Sequence, residues 1–211
     1  MYALLFLAAY LIGSIPSGLI VAGFGGRGID PRQCGSGNIG ATNVARVLGR
    51  RAGLITLAGD VLKGALPPLV GGWLAAGAAG QPYYMAAAGA GAVLGHVCPV
   101  FLRFKGGKGV ATAAGVFLVV APLALLGAAG VFALLVWRWR YVSLGSVGAA
   151  LALPVGVWAA TRSLPFSVLA TLIGLLVVSR HHANLARLRE GTEHRVGRQG
   201  RRPTCGAREP R

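Results

Sequence analysis

The sequence predicts an all-α, polytopic integral membrane protein. Two features carry that expectation: 55% of the 211 residues are hydrophobic against 12% charged, and mean hydropathy is +0.64. A third is spatial, because the charges punctuate uncharged runs at roughly 2–23, 53–78, 83–102, 109–137, 142–160 and 164–179, most of them near the length a bilayer-crossing helix needs. The 34 glycines, with abundant alanine, suit helices that approach closely in lipid. The expected organisation is an integral membrane domain over 1–194 and an Arg-rich tail over 195–211, read as disordered.

Taken in order, the first run lacks a basic leader and a cleavage site, so it reads as a retained span. The fourth is too long for one span and is broken at Ala121-Pro122. Its first part, about 12 residues, would reach only about 18 Å as a helix, short of a hydrocarbon core of about 30 Å. The count is then seven helices, one of them short. Lys and Arg number five in 24–51, three in 102–108, two in 138–140 and nine in 180–211, so 19 of 21 fall in alternate connections. By the positive-inside rule the N-terminus lies outside and the C-terminus in the cytoplasm.

A formal net charge of +16 suggests a polyanionic partner, either nucleic acid or an acidic membrane surface. The apolar content decides against nucleic acid, since a nucleic-acid binder sets its basic residues on a soluble scaffold. Cys34, Cys98 and Cys205 are too widely spaced to support a disulfide framework or a zinc site.

The first basic connection contains Gly35-Ser36-Gly37-Asn38-Ile39-Gly40-Ala41-Thr42-Asn43, followed by Arg46 and Gly49. Gly35 to Gly40 fits a dinucleotide-binding glycine pattern, but no strand or parallel sheet surrounds it. Glycines that admit an anion to backbone amides, with the donors Ser36, Asn38, Thr42 and Asn43, describe either a phosphate cradle or a flexible connector. The next connection, Lys105-Gly106-Gly107-Lys108-Gly109 with Thr112 opening a helix, repeats the theme. A topology-setting basic loop would explain its lysines but not its glycines.

Asp60 and Lys63 are three residues apart within the second run and share a helical face, which reads as a structural pair in lipid. His96 lies within the third run, where it can serve as a plain hydrogen-bonding histidine. Ser143 follows Arg138 and Arg140, and after the last run His181 and Asn184 share a face ahead of Arg187 and Glu193. All these clusters fall on one side of the membrane. The five acidic residues, at 30, 60, 190, 193 and 209, supply no D-x-x-D metal site, and no H-x-x-x-x-D acyltransferase signature occurs.

In order along the chain, Gly13 to Gly18, Gly35 to Gly49, Asp60 to Gly64, Gly95 to Thr112, Arg140 to Ser146 and His181 to Glu193 resemble the bacterial acyl-phosphate:glycerol-3-phosphate acyltransferase family, the membrane enzymes called PlsY. The resemblance runs to about residue 193. It implies seven spans, an active site on the cytoplasmic side, no cofactor, and transfer of a fatty acyl group from acyl phosphate to the 1-hydroxyl of sn-glycerol 3-phosphate. The products are lysophosphatidic acid and phosphate, the first acylation of phospholipid biosynthesis. It further implies that Ser36, Arg46, His181 and Asn184 are activity residues, that the Gly106 to Thr112 loop with Lys108 and Ser143 holds phosphate, and that Glu193 is structural. His181 and not His182 takes the role because of its spacing to Asn184.

Few strong bases are needed, because acyl phosphate already carries a good leaving group and the protein mainly aligns a hydroxyl and screens two phosphates. Direct attack without an acyl-enzyme is therefore expected, with the proton passing to a substrate phosphate or to His181. The cations expected to meet phosphate centre on Arg46, Lys105, Lys108, Arg138 and Arg140. A transporter of phosphate or phosphate esters is the alternative, and it would require an internal repeat that the sequence lacks.

Overall fold

The computed structural model describes residues 1–25, 28–197 and 205. Apart from a single bridge between Cys34 and Cys205, the regular structure among these residues is helical. The helices are α1 (Tyr2–Gly13), α2 (Ser17–Phe24), α3 (Ala41–Leu48), α4 (Arg50–Leu74), α5 (Gln81–Val97), α6 (Val110–Val120), α7 (Pro122–Trp139), α8 (Val142–Thr161), α9 (Leu164–Arg180) and α10 (His182–Arg189), with a 3₁₀ turn at Val100–Leu102.

Every apolar run is a helix or a helix pair. Tyr2–Phe24, Arg50–Leu74, Gln81–Leu102, Pro122–Trp139 and Val142–Thr161 are long and apolar enough to cross a membrane, and α9 with α10, bent by 53°, is a sixth when the pair is counted as one span. The remaining apolar helix, α6, has 11 residues. It ends at Ala121, whose backbone leaves the helical region (φ −157°, ψ 65°), since the α conformation is disfavoured before a proline. The first span is broken as well, at Pro16, where the ring removes a helix donor and α1 gives way to α2.

Helices α1 and α5 pack together, as do α4 and α6, α7 and α8, and α8 and α9. Two of these pairs are interlocked by reciprocal glycines. A Cβ on Gly64 of α4 would strike the Thr112 carbonyl, and one on Gly115 of α6 would strike the Val61 carbonyl. Gly13 meets Ala92, and Gly95 meets Tyr10, in the same manner between α1 and α5. Backbone contact of this kind replaces the hydrophobic effect as the means of helix association in lipid.

Polarity runs inside out. Leu123 and Val155 are 71% and 74% exposed, whereas Asn43, Asp60 and His181 are each 2% exposed. Lys63 Nζ lies 2.9 Å from Asp60 Oδ1 and donates to the Ile15 carbonyl at 2.7 Å, so the buried pair also ties down the break between α1 and α2. The absence of a disulfide expected from cysteine spacing is corrected: Cys34 and Cys205 are bonded across a separation of 171 residues, a pairing spacing alone does not reveal. Of the basic tail, Arg195 Nε donates to the Tyr141 hydroxyl and Val196 pairs with Arg140. Residues 198–204 and 206–211, where most of the disorder was expected, lie outside the described residues.

Candidate active site

Asn43, in the first turn of α3, organises the loop before it. Its Nδ2 lies 2.9–3.0 Å from the carbonyls of Pro31, Cys34 and Asn38, and its Oδ1 accepts the Ser36 N–H at 2.8 Å and Arg46 Nη1 at 3.3 Å. Gly35 turns the chain at φ +63°, and a side chain there would also strike Asn43 Oδ1. Asn38 accepts the Gly40 N–H at 2.8 Å, leading into the start of α3. Ser36, Asn38 and Arg46 are thereby grouped at one end of the bundle.

The second glycine loop is held from two sides. Gly107 N–H donates to the His96 carbonyl at 3.1 Å, and the Arg180 guanidinium donates to the Gly106 and Gly107 carbonyls at 3.3 and 3.4 Å. A Cβ on Gly107 would strike His96 Nε2. These two glycines are required by packing, and Gly109, at φ +83°, then turns the chain into α6.

Lys108 projects from that loop to α10, where its Nζ donates to Asn184 Oδ1 at 2.5 Å. Asn184 Nδ2 donates to Glu193 Oε1 at 2.7 Å, and the same carboxylate accepts Ser143 Oγ at 2.8 Å and Arg187 Nε at 2.8 Å. Burial alone would raise the Glu193 pKa, but the hydrogen bonds from Asn184, Arg187 and Ser143 outweigh it and hold the carboxyl below its ordinary range. Burial pushes the Lys108 ammonium down to about 8, opposed by Glu193 and assisted by Arg187 and Arg46. His181 Nδ1 lies 2.8 Å from the Val177 carbonyl. Because a carbonyl only accepts, Nδ1 carries the proton and Nε2 is left as an acceptor.

These groups surround one cavity of about 920 Å³. Of the residues singled out by sequence, Ser36, Asn38, Thr42, Asn43, Arg46, Asp60, His96, Lys108, Gly109, Ser143, His181, Asn184 and Glu193 line it. The structure does not bring Gly37, Gly106, Gly107, Lys105 or Thr112 to its wall. Lys105 is exposed, and Thr112 is buried with its backbone against Gly64. Nor do Arg138 and Arg140 reach it, the first stacking on Trp139 at 5.2 Å and the second bonding to Val196. Arg50 and His194 line the cavity as well, and Arg187, three residues after Asn184 and so on the same face of α10, joins them.

Residues 3–191 match the family model described as glycerol-3-phosphate acyltransferase. A glycerol-3-phosphate acyltransferase of Syntrophotalea carbinolica is 53% identical over 195 residues, covering 92% of this chain and 97% of that protein. One from Geobacillus kaustophilus is 45% identical, covering 96% of this chain and all of the other. Among solved structures, PlsY, an integral membrane glycerol 3-phosphate acyltransferase crystallised in its glycerol 3-phosphate form, is 40% identical with a TM-score of 0.85, covering 93% of this chain and 96% of that one. Its lysophosphatidic acid form gives a TM-score of 0.83 at the same identity, covering 93% and 95%. Sequence over nearly the whole chain and the matching membrane fold together establish that the chain belongs to the glycerol-3-phosphate acyltransferase family.

Proposed function

We propose that the protein transfers a fatty acyl group from acyl phosphate to the 1-hydroxyl of sn-glycerol 3-phosphate, giving 1-acyl-sn-glycerol 3-phosphate and inorganic phosphate. The single observation that carries this reading is the two-part cavity. Arg46, Arg50, Lys108 and Arg187 gather at one end, and apolar side chains from α6, α7, α8 and α9 line the other. A phosphate head joined to an alkyl chain has that same polarity.

At the polar end, the first N–H groups of α6 have no partner within the helix, and Val110 and Ala111 line the cavity beside Lys108. Helix N-terminus and ammonium together favour an anion. We assign Lys108, Gly109 and Ser143 to phosphate, Ser36, Asn38 and Arg46 to the second anionic group, and Asn184 and Glu193 to holding Lys108 in place. The glycerol oxygen attacks the acyl carbonyl and forms the ester bond, while the carbon–oxygen bond to phosphate breaks and phosphate leaves with the electron pair. The hydroxyl proton passes to a substrate phosphate, with His181 Nε2 as the protein acceptor within the cavity wall. No acyl-enzyme is formed, and trapping an acylated serine or cysteine in a single turnover would overturn that step.

The charge distribution supports seven crossings with the polar mouth on the cytoplasmic side. Residues 1–194 then form the catalytic unit, and 195–211 a basic extension. The direct test is a purified-protein assay for lysophosphatidic acid and released phosphate, with acyl phosphate and acyl-CoA compared as donors. Product from acyl-CoA alone would refute the donor assignment.

A further inference from the structure

The apolar part of the cavity has a floor, where the lining positions of α6, α7, α8 and α9 give way to core residues. On α8 the lining positions descend through Ser143, Ser146, Ala149 and Ala150 to Leu153, after which Val157 is fully buried and no longer lines the space. On α9 they run from His181 through Val177 and Gly174 to Ile173, and the next residues inward, Ala170 and Leu169, are packed in the core. On α6 the lining ends at Phe117 with Val120 packed behind it, and on α7 it ends at Leu125 with Ala121 and Ala124 packed around it. From Ser143 to Leu153 the helix advances about 15 Å, the depth available beneath the polar mouth.

We infer that Leu153, seated with Phe117, Leu125 and Ile173 at the closed end of the cavity, sets the longest acyl chain the enzyme accepts efficiently. The inference rests on the acyl transfer proposed above, which orients the chain: the phosphate end is fixed at Lys108 and Ser143, so the methyl end must point toward Leu153. A chain that ends above the floor leaves space unfilled, and one that is too long meets close-packed side chains that do not yield cheaply. Leu153 is the residue that bears most directly on this limit, because it is the last lining position on the helix that also carries Ser143. It is 7% exposed, and Ile173 and Phe117 beside it are 4% and 0% exposed, so this part of the floor is packed protein, while Leu125 is half-buried at its α7 edge.

The test uses the full-length protein in detergent or liposomes with a ladder of saturated acyl phosphates, comparing kcat/KM for each length. Leu153→Phe should lower kcat/KM for the longest chain that the native protein uses well by on the order of tenfold relative to a chain several methylenes shorter. Leu153→Ala should move the optimum toward longer chains. Activity on the short donor reports whether Leu153→Phe is folded, and should that variant be inactive throughout, Leu153→Ala decides the matter. An unchanged length profile in Leu153→Ala overturns the inference. A native protein that uses no acyl phosphate of any length would instead refute the proposed function, so the two failures are distinct.

Discussion

Lys108 Nζ and Asn184 Oδ1, 76 residues apart in sequence, meet at 2.5 Å and join the start of α6 to α10. The contact holds the ammonium at the polar end of the cavity, with Glu193 behind Asn184 balancing the charge. Replacing Lys108 with Ala should raise KM for glycerol 3-phosphate more than KM for acyl phosphate. A hydrogen bond to a charged group contributes about 1.5–3 kcal/mol, so the rise should be roughly ten- to a hundredfold. Steady-state kinetics with each substrate varied in turn checks this, and an unchanged KM for glycerol 3-phosphate removes Lys108 from the binding site.

The same ammonium should impose a pH limit. Burial lowers its pKa to about 8, so Lys108 is charged below that value and neutral above it. Only the charged form attracts phosphate, and kcat/KM for glycerol 3-phosphate should therefore fall as pH rises through about 8. In Lys108→Arg the guanidinium stays charged, and the alkaline limb should disappear or move upward. A pH profile of kcat/KM, which reports the free enzyme, decides between these outcomes.

Glu193 accepts bonds from Ser143, Asn184 and Arg187 at once. Glu193→Ala leaves all three donors and the Lys108 anchor unsupported, and should lower kcat/KM at least tenfold. Glu193→Gln keeps a carbonyl acceptor but loses the charge facing Arg187, so it should lose less. Activity per folded molecule, with the folded fraction measured by size exclusion, separates the two variants. Equal activity of Glu193→Ala and the native protein would show that the network is dispensable.

Asp60 sits beside both Lys63 and His96, with His96 Nδ1 3.5 Å from its Oδ1. Removing one partner of a buried ion pair costs about 3–5 kcal/mol, because the other charge remains buried. Asp60→Asn should therefore reduce the yield and thermal stability of folded protein more than turnover per folded molecule. Normal yield with abolished turnover would give Asp60, which lines the cavity, a chemical role instead.

The helices themselves were readable because lipid imposes length and apolarity on every span, and Pro122 marks the break after α6 without tertiary information. Asp60 and Lys63 were equally legible, as ionic groups three residues apart in an apolar run have little choice but to pair. The glycine loops were legible as a theme and not residue by residue. Gly106 and Gly107 are small because His96 lies against them, a contact that depends on how α5 ends. Lys105 and Lys108 look alike in sequence, yet only Lys108 points inward, since the turn at Gly109 and the position of Asn184 decide which lysine faces the cavity. Arg187 had the right spacing but acquires its meaning from Glu193, which folds back six residues later. Pro16, between Ser14 and Ser17, carries the same signal as Pro122, but the run it interrupts has the length of a single span and so gives no reason to divide it.

The Cys34 to Cys205 bond has a consequence for sidedness. It fastens Cys205 to the loop that Asn43 organises, on the face of the protein where the polar mouth opens. Cytosolic thiols are kept reduced by the cell, while thiols beyond the inner membrane are oxidised. With the mouth facing the cytoplasm, alkylation of intact cells with a permeant maleimide should trap both cysteines as thiols, and the bond should close only after lysis. The pair is thus a built-in reporter of which compartment the active site faces, readable by a mobility shift without any inserted tag.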